Sequence, residues 1–153
     1  MQHTTAGAAA GSDRSDPVSR PGRSRALTGL RVLDLGRLFA APWAGQLLGD
    51  LGADVIKVER PRTGDEMRHY GPPFLQTPDA QVLADSPYSL AANRNKRSIA
   101  IDISQPRGQE LVRGLAAVSD VLIENFKVGD LNRYGLDYAA VKRVNPALII
   151  FGS

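Results

Sequence analysis

Several cationic side chains stand directly before or after apolar segments of this sequence, and they are the residues best suited to chemistry. Arg60 follows the apolar segment 54–59, and Lys96 and Arg97 precede another apolar segment. Cations spread in this way suit a ligand that carries several phosphate groups. The alternative interpretation is a solvated surface, on which Arg60 pairs with neighbouring carboxylates and the run 93–97 faces water.

Two carboxylates, Asp34 and Glu59, lie at the ends of apolar segments and could do acid–base work. We interpret both as structural. The sequence has no cysteine, which excludes disulfides, thiolate nucleophiles and Cys-ligated metals. The two histidines, His3 and His69, are too few for a His-rich metal site, so we expect no metal.

The motifs of common nucleotide-dependent enzymes are absent. No GxGxxG follows the first apolar segment, where residues 36–42 stand instead, and there is no P-loop, GxSxG, HExxH or EF-hand loop. These absences argue against a dinucleotide dehydrogenase, a P-loop NTPase and an α/β-hydrolase.

The charge distribution argues against nucleic-acid binding. The net charge is +3, of which residues 1–26 supply +2, and residues 27–153 hold 15 basic and 14 acidic side chains. A nearly balanced core predicts no basic face for a polyanion. No apolar run approaches the ~20 residues that span a bilayer, so we expect no membrane contact and a cytoplasmic protein.

The apolar pattern predicts alternating strands and helices. Strands are predicted at 31–35, 54–59, 98–102, 120–124 and 148–151, and helices at 42–51, 106–118, around 131 and at 138–144. Ser104 is predicted to cap the helix from Pro106, with Leu111, Leu115 and Val118 on its apolar face. This alternation predicts an α/β, Rossmann-like layered domain with a parallel sheet.

Two segments depart from that pattern. Residues 1–26 hold almost no large apolar side chain, so we expect a disordered tail. Residues 61–92 are punctuated by Pro and Gly, and we expect a long excursion with little regular structure, of the kind that is functional or mobile.

Several segments, taken in their order along the sequence, resemble one family. They are Leu27–Leu35, Ala40–Pro42, Leu51–Glu59, Asn93–Ile99, Asp120–Phe126 and Arg133–Leu136. In this order and spacing they resemble the N-terminal region of class III (CaiB/BaiF-type) coenzyme A transferases, the group that contains formyl-CoA and carnitine-CoA transferases. The resemblance covers nearly everything from Leu27 to Ser153, and residues 27–153 would be the truncated N-terminal part of the family's large domain.

The resemblance implies a set of residues that bind coenzyme A. They are Phe39, Ala40, Arg60, Lys96, Arg97, Ile101, Asp102, Ile103, Ser104, Asn125, Phe126, Lys127 and Arg133. It implies that Arg60 and residues 101–104 lie at the adenosine end, residues 125–127 along the pantetheine arm, Arg133 at a phosphate, and residues 39–40 near the acyl end.

Structural roles stay open for some of these residues. Phe126 is equally suited to a core, and Arg133 to a helix C-terminus, where a cation is favourable. Ser104 stands where the family often has Lys, which leaves one phosphate contact in doubt.

The resemblance also implies an activity. Family members move coenzyme A from an acyl-CoA donor to a carboxylic acid through an aspartyl-CoA thioester, and they form interlocked homodimers. The nucleophilic aspartate is expected beyond Ser153, so we expect no catalytic residue in this chain, and residues 1–153 alone should fold poorly and be inactive. An α-methylacyl-CoA racemase-like enzyme and a non-catalytic CoA-binding module are the alternatives.

Overall fold

The computed structural model describes residues 25–79, 81 and 85–152. The expected disordered tail lies outside these residues except for positions 25 and 26. In the described part, the strands are β1 (Arg31–Asp34), β2 (Asp54–Glu59), β3 (Lys96–Ala100), β4 (Val121–Ile123) and β5 (Ile149–Phe151). The helices are α1 (Ala40–Asp50), α2 (Pro87–Asn93), α3 (Pro106–Ala117) and α4 (Tyr138–Val144), with 3₁₀ turns at Glu66–His69 and Asn132–Tyr134.

The described strands form one parallel sheet in the order β3-β2-β1-β4-β5. The chain moves outward from β1 to β3 and then crosses back to β4, so the winding direction reverses between β1 and β4. This topology confirms the predicted α/β class with a parallel sheet. All carboxyl ends of the strands therefore point to one edge of the sheet.

Apolar side chains cover both faces of the sheet. Val32 belongs to the layer beneath α1, with Val55 and Ile123, whereas Leu33 points the other way, into the layer beneath α3 and α4. Successive side chains of a strand alternate between faces, and a sheet with helices on both sides needs apolar residues at both positions. Along the described residues, no helix combines the length and apolarity that a bilayer crossing requires.

Helix α3 packs on the sheet mainly through residues outside the expected apolar face, of which Leu115 alone is partly buried against the core. Gly108, Val112 and Ala116 are buried, whereas Leu111 and Val118 are 44% and 59% exposed. The close approach of the helix explains this choice, because a Cβ on Gly108 would lie 1.9 Å from the Asp102 carbonyl oxygen. Leu111 and Val118 are left exposed.

The structure differs from three local predictions. The excursion 61–92 contains the 3₁₀ turn at 66–69 and α2, because Pro87 occupies a first helical turn that Ser86 caps through the Ser89 N–H. Strand β3 begins two residues earlier than predicted, since its polar first residues pair with β2. Ser104 does not cap α3, whose N-cap residue is Gln105 with no side-chain cap bond. The remaining element boundaries agree with the predictions to within about two residues.

We predict that Gly108→Ala lowers the free energy of unfolding by about 3 kcal/mol, because the added methyl group overpacks a backbone contact. The loss would be measured by urea denaturation.

Gly114→Ala on the same helix is the matched control. Gly114 is exposed and a Cβ there meets no atom within 4 Å, so this variant should gain about 0.5–1 kcal/mol from helix propensity. Equal effects of the two substitutions would contradict the proposed packing of α3.

Candidate functional site

A cleft of about 440 Å³ opens at the carboxyl edge of the sheet. Its walls are residues 35–37 after β1, 58–66 at the end of β2, 101–104 after β3, and Phe126 after β4, together with residues 133–134. The cleft therefore lies beside the reversal of strand order between β1 and β4. Ligands of open parallel sheets bind at this position, because the loops on either side of the reversal diverge.

Four arginines line the cleft: Arg37, Arg60, Arg62 and Arg133. Arg60 is half-exposed, and its Nη1 lies 3.1 Å from Glu66 Oε1. The guanidinium of Arg133 lies over the Tyr134 ring, 4.8 Å from its centroid. A cleft with several guanidinium groups and aromatic or aliphatic flanks suits an anionic ligand that also carries apolar or planar parts.

The Glu59 carboxylate is held at the cleft by a set of donors. Arg68 Nη2 and Nε donate to its two oxygens at 2.8 Å each, and the Ser98 hydroxyl donates at 2.8 Å. Burial would raise the pKa of Glu59, but these hydrogen bonds and the Asp65 backbone N–H outweigh it and hold the pKa at about 2. The structural interpretation of Glu59 agrees with this pairing. Within the described residues, no group of three His, Asp or Glu side chains is arranged to hold a metal ion.

A tight turn brings residues 102–104 to the cleft. Asp102 Oδ1 accepts hydrogen bonds from the Ser104 N–H at 2.9 Å and from its hydroxyl at 2.6 Å. These bonds lower the pKa of the Asp102 carboxyl. The Ser104 hydroxyl expected at the helix cap is therefore used to shape the cleft wall.

The loop after β1 is fixed from inside the protein. The Gly36 N–H donates to Asp34 Oδ1 at 2.8 Å, and its carbonyl accepts from Lys57 Nζ at 2.8 Å. The Leu38 N–H donates to Asp65 Oδ1 at 3.2 Å, and Lys57 Nζ lies 2.9 Å from Asp65 Oδ2. The Lys57 and Asp65 side chains are each 2% exposed. A buried ion pair thus spans the loop.

The same loop is fixed from the other side by Asn125. Its Oδ1 accepts from the Arg37 N–H and its Nδ2 donates to the Arg37 carbonyl, both at 2.8 Å. The Arg37 guanidinium lies over the Phe126 ring, 4.1 Å from the centroid. Burial and the nearby Arg60 lower the pKa of Arg37.

Lys96 is a buried structural cation. Its Nζ donates to Asp34 Oδ2 at 2.7 Å, to the Pro42 carbonyl at 2.6 Å and to Asn93 Oδ1 at 3.1 Å, and its side chain is 2% exposed. Burial lowers the pKa of Lys96, and the Asp34 carboxylate opposes that shift. The three donors of the ammonium group are all used within the protein. Lys96 therefore lies outside the cleft lining, and its contact with coenzyme A stays a prediction.

Other predicted ligand residues also lie outside the cleft. Arg97 is exposed, and its Nη2 lies 2.7 Å from Asp54 Oδ2. Phe39 and Ala40 are exposed at the start of α1, and Lys127 lines a second depression next to β4 and β5. Asn125 contacts the cleft only through the loop that it holds.

The structure brings seven of the predicted residues together at the cleft: Arg60, Ile101, Asp102, Ile103, Ser104, Phe126 and Arg133. The sequence reasoning missed Arg37, Arg62 and Tyr134. Arg37 had a usable signal, because it stands a few residues beyond the carboxyl end of β1, as Arg60 does beyond β2. Arg62 stands as far beyond β2 as Arg37 does beyond β1, but its placement also depends on a turn in which its own φ is 66°.

Comparison with known proteins identifies similar sequences. A model of CoA-transferase family III matches residues 27–152. The succinate–glutarate CoA-transferase of Agrobacterium fabrum is 51% identical over 129 residues, which are 84% of this chain and 32% of that protein. The human succinyl-CoA:glutarate CoA-transferase is 45% identical over 133 residues, which are 87% of this chain and 29% of that protein.

A solved structure agrees with these sequence matches. The crystal structure of a CaiB/BaiF family protein from Brucella suis superposes with a TM-score of 0.76 at 51% identity, over 85% of this chain and 33% of that one. The chain thus spans about a third of the length of the curated relatives it matches.

We predict that Arg68→Gln lowers the free energy of unfolding at pH 7 by about 2–3 kcal/mol, because it leaves the buried Glu59 carboxylate without its main partner. In the parent protein, Glu59 contributes stability that is present above pH 4.5 and lost as the pH falls towards 2. In the variant, burial is opposed by the Ser98 hydroxyl and the Asp65 N–H without Arg68, so the pKa of Glu59 is lowered less, and less stability is lost over that pH window. Urea denaturation at pH 2.5 to 7 measures both effects.

Arg97→Gln serves as the control. The side chains of Arg97 and Asp54 are 65% and 40% exposed, so this pair should contribute less than about 1 kcal/mol to the free energy of unfolding. Its loss should have little effect on how that free energy falls at acid pH. An unchanged pH dependence in Arg68→Gln would contradict the assignment.

Proposed function

This chain belongs to CoA-transferase family III, and on that premise we propose that the complete protein moves coenzyme A from an acyl-CoA donor to a carboxylic acid. The observation that carries the proposal is the meeting of four arginines with apolar side chains in one cleft at the reversal of strand order. The same cleft collects most of the residues for which the family resemblance implies a coenzyme A contact.

The cleft has the donors that the nucleotide end of coenzyme A requires. Arg60 and Arg133 supply cations for phosphate groups, and the side chains of Ile101, Ile103 and Phe126 supply apolar surface for the adenine. When bound, coenzyme A supplies a thiol that carries the acyl group. In this proposal residues 27–152 bind and orient the nucleotide, whereas the nucleophilic aspartate lies beyond Ser153.

The substrates are proposed from the relatives. Two of them are named for succinate or succinyl-CoA and glutarate, so short dicarboxylic acids are the first class to test. A cytoplasmic location is part of the same proposal, because acyl-CoA thioesters are intracellular metabolites.

We also propose that the complete protein is a homodimer. Phe39, Trp43, Leu47 and Leu51 follow one another at helical spacing around α1 and are 43–52% exposed. An apolar row of this kind is suited to burial against another surface. Sedimentation analysis of the complete gene product would test this part, and a monomer at micromolar concentration would contradict it.

The activity can be tested on the complete gene product with succinyl-CoA and glutarate, by following glutaryl-CoA with chromatography. We expect transfer, and we expect Arg60→Gln to raise the KM for succinyl-CoA about 10- to 100-fold, because a hydrogen bond to a charged group is lost in binding. Because Arg60 is remote from the acyl group in this proposal, kcat should change less.

Arg31→Gln is the matched control, because Arg31 lies at the amino edge of the sheet, at the opposite end of β1, and its pair with Asp54 is exposed. Its KM should stay at the parent value. Deuterium uptake from D₂O at the α-carbon of a 2-methylacyl-CoA, without transfer, would favour the racemase alternative. Binding of coenzyme A without either reaction would favour a non-catalytic module.

A further inference from the structure

The backbone of residues 36–38 forms hydrogen bonds with four polar side chains at the carboxyl edge of the sheet. Asp34 and Lys57 bind the backbone of Gly36, Asp65 binds the Leu38 N–H, and Asn125 binds both backbone groups of Arg37. Short side-chain clamps of this kind fix a backbone in one conformation. They do so here at a residue, Leu38, whose φ of 59° lies in the left-handed region that side chains disfavour.

The conformation fixed in this way presents Arg37 to the cleft. Its guanidinium carbon lies over Phe126, at 4.1 Å from the ring centroid, and Arg37 lines the cleft together with Arg60. A cation–π contact limits the rotation of the side chain and does not use the in-plane N–H donors of the guanidinium.

The carboxylates near this end of the cleft already have cationic partners. Glu59 is paired with Arg68, Asp65 with Lys57, and Glu66 with Arg60. Arg37 and Arg60 both line the cleft, and an anion bound between them would relieve the repulsion that the exposed Arg60–Glu66 pair leaves. Burial is the main cause of the lowered pKa of Arg37; the nearby Arg60 adds to it, and Glu66 opposes it.

We propose that Arg37 is a phosphate-binding residue of the coenzyme A site and that Asn125 is the positioning residue that holds it there. This inference rests on the proposed function. It gives Asn125 a role that differs from the expected contact along the pantetheine arm, because both groups of its amide are used by the Arg37 backbone. The phosphate is either the 3′-phosphate or the pyrophosphate of coenzyme A.

The test measures the Kd of the complete gene product for coenzyme A and for 3′-dephospho-CoA by calorimetry. Arg37→Gln should weaken binding of coenzyme A about 10- to 100-fold, the usual effect of losing a hydrogen bond to a charged group. A loss confined to coenzyme A identifies the 3′-phosphate, and an equal loss for both ligands identifies the pyrophosphate. Arg37→Lys keeps the charge without the planar fork and should lie between the parent and Arg37→Gln.

Asn125→Ala tests the positioning role. It should weaken binding about 3- to 10-fold in the parent background and have no effect in the Arg37→Gln background, since it acts through Arg37. A residue that only stabilises the fold would lower the Tm and weaken binding by the same factor in both backgrounds. Arg31→Gln, at the opposite edge of the sheet, is the control for loss of one arginine.

The outcomes separate the two proposals. Parent-like affinity of Arg37→Gln for both ligands, with Arg60→Gln impaired, would overturn the role of Arg37 and leave the proposed function intact. Failure of the parent protein to bind either ligand would overturn both. Equal effects of Asn125→Ala in the two backgrounds would overturn the positioning role.

Discussion

Two buried lysines fix the carboxyl edge of the sheet, and the cleft depends on them. Lys57 joins β2 to the loop after β1 through the Gly36 carbonyl and the Asp65 carboxylate, and Lys96 joins β3 to β1 through Asp34. Burying an ion pair costs desolvation free energy, and such pairs are often no better for stability than apolar residues of similar size. What they provide here is geometry, because each ammonium has several partners on different segments and only one arrangement satisfies them together.

This arrangement also determines the electrostatics of the cleft. The buried lysines and Arg68 engage the carboxylates that face inward, Asp34, Asp65 and Glu59. Acidic side chains at the same edge would otherwise attract the guanidinium groups and compete with an anionic ligand. The inward-facing carboxylates are thus kept away from the cleft cations, of which Arg60 still pairs with the exposed Glu66, although the net charge of residues 27–153 is only +1. A nearly neutral domain can therefore present a cationic site, because its buried carboxylates are paired inside the protein while its arginines lie at the surface of the cleft.

The sequence patterns predicted the α/β class and most strands, because those depend on local apolar runs and on capping residues. These patterns were less reliable where a tertiary contact determines which residues are buried. The buried face of α3 consists of Gly108, Val112 and Ala116, because the helix approaches the backbone at Asp102, a distance that no periodicity encodes. Likewise, the prolines of 61–92 predict little regular structure, whereas one of them, Pro87, begins α2. For the cleft, the residues directly after strands were predictable from topology, but the clamp on Arg37 joins positions 88 residues apart.

Two cations of the run 93–97, Lys96 and Arg97, occupy different environments in the structure. Its cations were expected to lie beside coenzyme A, and the structure instead buries Lys96 in the interior and pairs Arg97 with Asp54. A lysine that connects three backbone segments is as restricted in its replacements as a lysine that binds substrate, since no other side chain reaches the same partners. A residue shared with a family can therefore mark the support of a site as well as its surface. Only the position of its donors, inward for Lys96 and towards the cleft for Arg60, tells the two apart.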